Sequence, residues 1–187
     1  LLKDYGKLLA RDHGYAERAE YVGGRARDAT EFLSEIELNP PVMWTGLKVA
    51  YHSACSLGHG QKLDDLPRQL LEQAGYTLTE IPEGHLCCGS AGTYNIVEPE
   101  LSGELRDRKV KNIESIAPDV IVTGNIGCIT QLKVGTNIPI VHTVELLDWA
   151  TGGPCPPALS KMRGRAHPIE ALVEMAKVSA KEKALAD

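Results

Sequence analysis

One stretch decides the fold, and it reads Asp119-Val120-Ile121-Val122-Thr123-Gly124-Asn125-Ile126-Gly127-Cys128. After its single acid, the first half is almost wholly apolar, as expected of a strand that is buried on both faces of a parallel sheet. The second half is a tight turn bounded by glycines, and a helical pattern follows it. A buried strand that turns directly into a helix is the repeating unit of an α/β fold.

The same alternation of strand and helix is predicted along the middle of the chain. Four short strands are expected, at residues 47–51, 76–81, 119–123 and 139–141. Helices are expected over residues 63–74, over 99–116, beyond Cys128 and over 144–150. This order predicts a Rossmann-like three-layer α/β fold, in which a parallel sheet has helices on both faces. No GxGxxG follows the first strand, so the usual fingerprint of a dinucleotide site is missing.

The chain divides into three predicted segments. Residues 1–40 form a helical N-terminal segment, interrupted by Gly23 and Gly24 and ended by the prolines at 40 and 41. Residues 41–152 form the main, cysteine-rich domain. Residues 153–187 begin as a proline-rich linker and continue as a terminal helix rich in Ala, Lys and Glu. Flanking helices are therefore expected on both sides of the α/β domain.

Composition narrows the class of protein. The chain has 187 residues, and 43% of them are hydrophobic, which is enough for the core of one soluble domain. Its net charge of −5 argues against nucleic acid as a partner. No apolar run approaches the roughly 20 residues of a membrane span, and no signal peptide is visible. The chain starts with Leu rather than Met, which leaves open that a preceding partner domain is missing.

Four of the five cysteines follow predicted strands. Cys55 follows the first strand, Cys87 and Cys88 follow the second, and Cys128 follows the third. The carboxyl ends of parallel strands share one edge of the sheet, where ligands bind, so these four thiols are expected to converge. Cys155 lies in the proline-rich linker and does not fit this pattern. An odd cysteine count without a secretory signal argues against disulfides and for cytosolic thiols that bind metal or do chemistry.

Several groups could be held by four converging thiolates. Iron-sulfur clusters are usually bound by four cysteines. Structural zinc is the rival, but its sites usually contain short Cys-x2-Cys pairs, and adjacent cysteines strain a tetrahedron around one ion. Here 31 residues separate Cys55 from Cys87, and 39 separate Cys88 from Cys128. A redox-active thiol pair is a third possibility. The chemistry of the residues favours the cluster and leaves the other possibilities open.

Histidines and glycines surround the same cysteines. His52 and His59 flank Cys55, and His85 precedes Cys87, so each could be a ligand, a hydrogen-bond donor to sulfur or a proton carrier. His142 at the end of the fourth strand is a weaker candidate. Glycines at 89 and 92 allow backbone amides to approach a charged group closely.

These residues also carry a family resemblance, in the segments His52-x2-Cys55-x3-His59, Cys87-Cys88-Gly89-x2-Gly92 and Gly124-Asn125-x-Gly127-Cys128. The pattern resembles the cysteine-rich CCG domain that heterodisulfide reductase shares with iron-sulfur subunits of flavin-linked 2-hydroxyacid dehydrogenases. The amino-acid sequence of residues 88–95, 108–113 and 123–128 is similar to that of the iron-sulfur subunits of glycolate oxidase (glycolate dehydrogenase). The resemblance covers roughly residues 4–159.

The resemblance implies an electron-transfer role. In that family a flavoprotein subunit with FAD oxidises glycolate to glyoxylate, and electrons pass through the iron-sulfur subunit to a quinone or another acceptor. It implies an oxidoreductase subunit that does not itself bind glycolate, located in the cytoplasm or peripherally at the inner membrane. Subunits of this family have a ferredoxin-like N-terminal region followed by two CCG modules. This sequence has no ferredoxin-like motif and one CCG module, so the resemblance implies the C-terminal part of such a subunit.

The resemblance also implies the ligands and exposes one departure. The candidate ligands of a cluster, most simply [4Fe-4S], are Cys55, Cys87, Cys88 and Cys128. The heterodisulfide reductase pattern ends in Cys-x2-Cys and supplies five thiolates for a noncubane cluster, whereas Gln131 stands at the last position here. Two rival hypotheses remain: a cluster-free CCG scaffold that docks the flavoprotein subunit, and a zinc or thiol enzyme that acts alone.

Overall fold

The computed structural model describes residues 1–36 and 38–173. These residues form two compact units, which divide between residues 36 and 38. The three predicted segments, with boundaries at residues 40/41 and 152/153, stay a prediction. Within the described residues, no helix has both the length and the apolar character that a membrane crossing requires.

The first unit contains three short helices rather than one long one. A 3₁₀ turn, Leu2–Asp4, leads into α1 (Tyr5–Leu8), followed by α2 (Ala16–Arg25) and α3 (Ala29–Glu35), and α1 packs on α2. The expected interruption at Gly23 and Gly24 is wrong, because both lie inside α2. The breaks occur where aspartates accept backbone hydrogen bonds: Asp12 from Gly14 and Tyr15, and Asp28 in the capping box of α3.

The second unit is built on a parallel sheet. The chain forms β1 (Met43–Trp44), β2 (Lys48–Tyr51), β3 (Thr77–Thr79), β4 (Val120–Thr123), β5 (Ile140–His142) and β6 (His167–Pro168). Strands β3-β2-β4-β5 make the sheet in that order, and all three of its pairings are parallel. All four predicted strands are present. The antiparallel pair β1-β6 was not predicted.

Helices flank the sheet as the topology requires. They are α4 (Asp65–Gln73), α5 (Tyr94–Val97), α6 (Pro99–Ser115), α7 (Ile126–Lys133) and α8 (Thr143–Ala150). Because crossovers between parallel strands are right-handed, the step from β2 to β3 puts α4 on one face, and the opposite steps put α6 and α7 on the other. The observed contacts of α4 with α8 and of α6 with α7 agree with this arrangement. The predicted α/β fold is confirmed.

Three details differ from the sequence-based expectation. The predicted loop after β2 contains a turn of π-helix, Ser56–Gln61, and the segment after α8 contains a 3₁₀ helix, Pro157–Arg165. The buried face of α6 is Ser102, Lys109, Val110 and Ile113, whereas Leu101 is half exposed. Residues 169–173 begin the expected terminal helix, and the rest of that prediction lies outside the described residues.

The core lies between the sheet and its helices. All four residues of β4 are buried, as are three of the four in β2. Cys88 and Cys128 belong to this core and pack with Ile121 and Leu132. The loops that carry Cys88 and Cys128 are therefore anchored in the hydrophobic core.

Candidate functional site

The four predicted cysteines lie at the carboxyl ends of three strands. Cys55 follows β2 and immediately precedes the π-helical turn, and Cys87 and Cys88 lie in the loop between β3 and α5, residues 80–93, called here the double-cysteine loop. Cys128 lies in the first turn of α7, where its N–H donates to the Asn125 side chain at the N-cap. Since these strands run parallel in one sheet, their loops meet at one edge.

Cys88 and Cys128 form a close pair. Both are buried, and their Sγ atoms lie 3.2 Å apart. The hydrogen bond from the Cys128 thiol lowers the pKa of Cys88 to about 4, against the opposing effect of burial, with further stabilisation from His52. The same contact, with burial, raises the pKa of Cys128. The two pKa values are therefore pushed apart, as expected of two hydrogen-bonded thiols that compete for one negative charge.

Cys55 and Cys87 form the outer half of the site. Cys87 is half buried and Cys55 is exposed. Burial raises the pKa of Cys87, and the N–H of Gly89, which donates to its Sγ at 3.3 Å, opposes this shift. The charges of Cys55 and Cys88 raise it further, which shows that all these thiols interact electrostatically. The structure thus brings the four predicted thiols together; their role as ligands stays a prediction.

The histidines separate into different environments. His52 is buried, and one of its ring nitrogens, Cys88 Sγ and Cys128 Sγ all lie within 4.8 Å of one another. His59 and His85 are exposed and line an open pocket of about 290 Å³ beside Cys55. His142 is instead the N-cap of α8, where its Nδ1 accepts from the Val144 N–H at 3.3 Å. Of the histidines at this edge, His52 is the one directed at Cys88 and Cys128.

A buried lysine accompanies the thiols, and sequence reasoning missed it. The side chain of Lys109 is fully buried, and its Nζ donates to the carbonyl oxygens of Glu83 and Gly84 at 3.0 Å each. Burial lowers the pKa of Lys109 below the usual lysine value, and the negative charges of Cys88, Cys55 and Cys87 oppose only part of this shift. An ammonium group in this position offsets thiolate charge and tethers the double-cysteine loop to α6. The available signal was a lysine four residues before Ile113, on the apolar face of the helix.

Gln131, at the position of the missing thiolate, belongs to a polar network. Its Nε2 donates to Ser102 Oγ at 2.8 Å, and its Oε1 accepts from Asn95 Nδ2 at 3.3 Å. Ser102 Oγ in turn donates to the Gly89 carbonyl oxygen at 2.9 Å. The side chain at this position therefore connects α6, α7 and the double-cysteine loop.

Cys155 lies apart from the other cysteines. It is half buried, and its Sγ contacts the Pro156 carbonyl oxygen at 3.7 Å. It lies near Tyr76, the residue that precedes β3, whose pKa is raised by burial and further by the proximity of Cys155. Tyr76 marks the amino end of that strand. Cys155 is therefore at the opposite end of the sheet from the four thiols.

Comparison with known proteins agrees with this geometry. Residues 49–133, which contain all four clustered cysteines, match the model of the CCG cysteine-rich domain. This part of the chain is therefore similar to the CCG domain, and the predicted resemblance is confirmed.

Curated relatives narrow the resemblance further. The chain is 41% identical over 149 residues to the glycolate oxidase iron-sulfur subunit of Escherichia coli, an alignment that covers 80% of this chain and 37% of the relative. It is 33% identical over 161 residues to a probable glycolate oxidase iron-sulfur subunit of Bacillus subtilis, covering 81% and 36%. Lactate utilization protein A of Geobacillus thermodenitrificans is 26% identical over 156 residues, covering 79% and 65%. The chain thus spans little more than a third of the glycolate oxidase relatives.

Proposed function

We propose that this chain is an electron-transfer part of the iron-sulfur subunit of a flavin-linked 2-hydroxyacid dehydrogenase. The proposed ligands of its cluster, most simply [4Fe-4S], are the four clustered thiols, Cys55, Cys87, Cys88 and Cys128. The observation that carries the proposal is the convergence of these thiols from three separate loops at one edge of the sheet. Similarity to iron-sulfur subunits of glycolate oxidase supports it.

The surroundings of the thiols suit an anionic cluster. A cluster bound by four thiolates carries net negative charge, and the buried Lys109 supplies a compensating cation. The Gly89 N–H already donates to Cys87 Sγ, and hydrogen bonds to ligand sulfur tune the potential of a cluster. Within the part of the chain that the structure describes, neither ring nitrogen of buried His52 makes a hydrogen bond of normal geometry, which supports a bound group at this position.

The exposed side of the site suits electron exchange. Cys55 lines the same pocket as His59 and His85, so a redox partner can approach Cys55 and Cys87 without disturbing the core. When bound, the cluster supplies one-electron transfer. In the proposed reaction, glycolate oxidation to glyoxylate on a flavoprotein subunit releases two electrons to FAD. They leave singly through this chain to a quinone or another acceptor.

The proposed location is the cytoplasm or the inner face of the inner membrane. All five cysteines are free, which supports a reducing compartment. The proposed reaction needs the flavoprotein subunit as a partner, because the flavin that accepts the electrons of glycolate belongs to that subunit.

Iron and acid-labile sulfide analysis of the whole chain, purified and reconstituted without oxygen, tests the proposal. We expect iron and sulfide in equal amounts, and loss of both from Cys88→Ser and Cys128→Ser. Cys155→Ser is the matched control, because it removes a half-buried thiol at the other end of the sheet and should leave the iron content unchanged.

Two results would reject the cluster. Folded protein that binds neither iron nor sulfide would favour the cluster-free docking scaffold, provided that the flavoprotein subunit still co-purifies with a Cys87→Ser, Cys88→Ser double variant. Stoichiometric zinc without sulfide would favour the zinc alternative.

A further inference from the structure

His52 is the least satisfied polar side chain near the thiols. It is 1% exposed, and neither of its ring nitrogens makes a hydrogen bond of normal geometry among the described residues, although the ring lies close enough to Cys88 to lower the pKa of that thiol. A buried polar group without a partner costs about 1–3 kcal/mol, so such groups usually serve a purpose. The other histidines near the site, His59 and His85, are exposed and can be satisfied by water.

The backbone holds His52 in a fixed position. It follows the last residue of β2, and its N–H donates to the Val122 carbonyl oxygen of β4 at 2.8 Å. This bond continues the sheet ladder through His52, so its ring is placed by the two central strands rather than by a mobile loop. A metal ligand needs this kind of rigid support.

The ring is directed at Cys88 and Cys128. One ring nitrogen and the two Sγ atoms lie within 4.8 Å of one another, and within the described residues no other group of three histidine, cysteine or acidic side chains is gathered so closely. One imidazole nitrogen and two thiolates this close together can therefore bind the same metal centre.

We propose that His52 is a further protein ligand of the cluster and would bind iron through a ring nitrogen beside Cys88 and Cys128. The inference rests on the proposed function, since it requires the cluster. Gln131, at the position of the missing fifth thiolate, is engaged with Ser102 and Asn95, whereas His52 offers an unused donor atom beside these two thiols.

A neutral imidazole has a different consequence from a fifth thiolate. It completes the coordination without adding negative charge, and histidine in place of cysteine raises the potential of iron-sulfur centres. The chain would therefore hold its electron more strongly than a domain with five thiolates.

Pulsed electron paramagnetic resonance of the reconstituted whole chain, in its paramagnetic state, tests this ligand. We expect a strong nitrogen hyperfine coupling that changes when histidine is labelled with ¹⁵N. The coupling should disappear in His52→Cys, which supplies a thiolate in place of the nitrogen and should lower the midpoint potential. His59→Ala and His85→Ala are the matched controls and should keep the coupling.

Each alternative outcome has a separate meaning. A loaded cluster with only weak nitrogen couplings would overturn the ligand and leave His52 as a hydrogen-bond donor to Cys88, with the proposed function intact. A strong coupling that persists in His52→Cys would also overturn it. If His52→Cys binds no cluster, the ¹⁵N-histidine spectra of the wild type and of the two control variants still test whether a histidine nitrogen other than those of His59 and His85 binds the cluster. A chain that holds neither iron nor sulfide would overturn both proposals.

Discussion

Gly89 lies directly against the Ser102 carbonyl oxygen. A Cβ atom added to Gly89 would come within 2.3 Å of that oxygen, and the backbone of Gly89 has φ of +88°. The Ser102 hydroxyl also donates to the Gly89 carbonyl oxygen. The double-cysteine loop is thus pressed onto α6 at the residue that follows Cys88, and a side chain there would push both cysteines out of place.

Gly89→Ala is expected to destabilise the protein by about 3 kcal/mol or more, since the methyl group meets backbone rather than a movable side chain. Gly92→Ala is the matched control: its φ is +70°, but a Cβ there meets nothing within 4 Å. It should cost only the left-handed backbone penalty, about 1–2 kcal/mol. Urea unfolding of the cluster-free chain compares the two variants. Equal losses would mean that contact with Ser102 is unimportant.

Gln131→Leu should destabilise the protein through its polar network. The substitution introduces an apolar side chain of similar size and removes both the donor to Ser102 and the acceptor for Asn95. We expect a loss of about 1–3 kcal/mol, the cost of leaving buried polar groups unpaired. Gln73→Leu, on the exposed part of α4, should change stability by less than about 0.5 kcal/mol. Thermal melting followed by circular dichroism checks both, and a neutral Gln131→Leu would show that the network contributes nothing.

The strands and most of the site were predictable because they depend on local pattern and topology. The run Val120-Ile121-Val122 is long and apolar enough to define a buried strand, and parallel topology then puts the loops after strands at one edge. The pair β1-β6 was missed because each strand has two residues and β6 contains Pro168, so neither has a periodic signal. The first helices broke at aspartate-capped turns, which apolar periodicity does not detect.

The roles of the supporting residues could not be predicted in the same way. Lys109 is significant because its ammonium group contacts Glu83 and Gly84, which are about 25 residues away in the chain. His52 could not be distinguished from His59 by spacing, since both flank Cys55. Only the tertiary structure buries one and exposes the other. Residue type indicated the chemistry, but burial and long-range partners determine which residues take part.

Lys109→Met should lower the midpoint potential of the proposed cluster. Removing a nearby positive charge favours the oxidised, less negative state. At an effective dielectric constant of about 20, a charge about 8 Å away contributes about 2 kcal/mol, or roughly 90 mV for one electron. Redox titration of the reconstituted chain measures the shift. Lys111→Met, on the exposed side of α6, should shift the potential far less.

The reactivity of Cys87 in the cluster-free chain separates the electrostatic effect of Lys109 from any effect on cluster binding. Without the ammonium group, the thiolate form of Cys87 is less favoured, so its alkylation at about pH 7.5 should slow roughly two- to tenfold. An unchanged alkylation rate together with an unchanged potential would show that Lys109 acts only as a tether of the double-cysteine loop.

The carboxylate of Asp119 should stabilise the second unit in a pH-dependent way. Its Oδ2 accepts from the Lys48 N–H at 2.8 Å, its Oδ1 accepts from Arg165 Nη1 at 2.6 Å, and Arg165 Nη2 donates to the Gly46 carbonyl oxygen. Partial burial raises the pKa of Asp119, but the bonds from Arg165 and Lys48 outweigh it, and the net pKa is lowered. The charged form is therefore the stabilising one.

Asp119→Asn should cost about 1–2 kcal/mol near pH 7, because Arg165 loses its charged partner and the amide oxygen is a weaker acceptor. A lowered folded-state pKa means that this stabilisation is complete above the unfolded value, near 4, and is lost as the pH falls through the lower folded-state value. Urea unfolding of the cluster-free chain should show a constant gap between wild type and variant from about pH 5 to 8, narrowing below about pH 4. Glu104→Gln, an exposed acid on α6, should show no gap at any pH, and a gap for Asp119→Asn that persists at about pH 2.5 would contradict the ion-pair explanation.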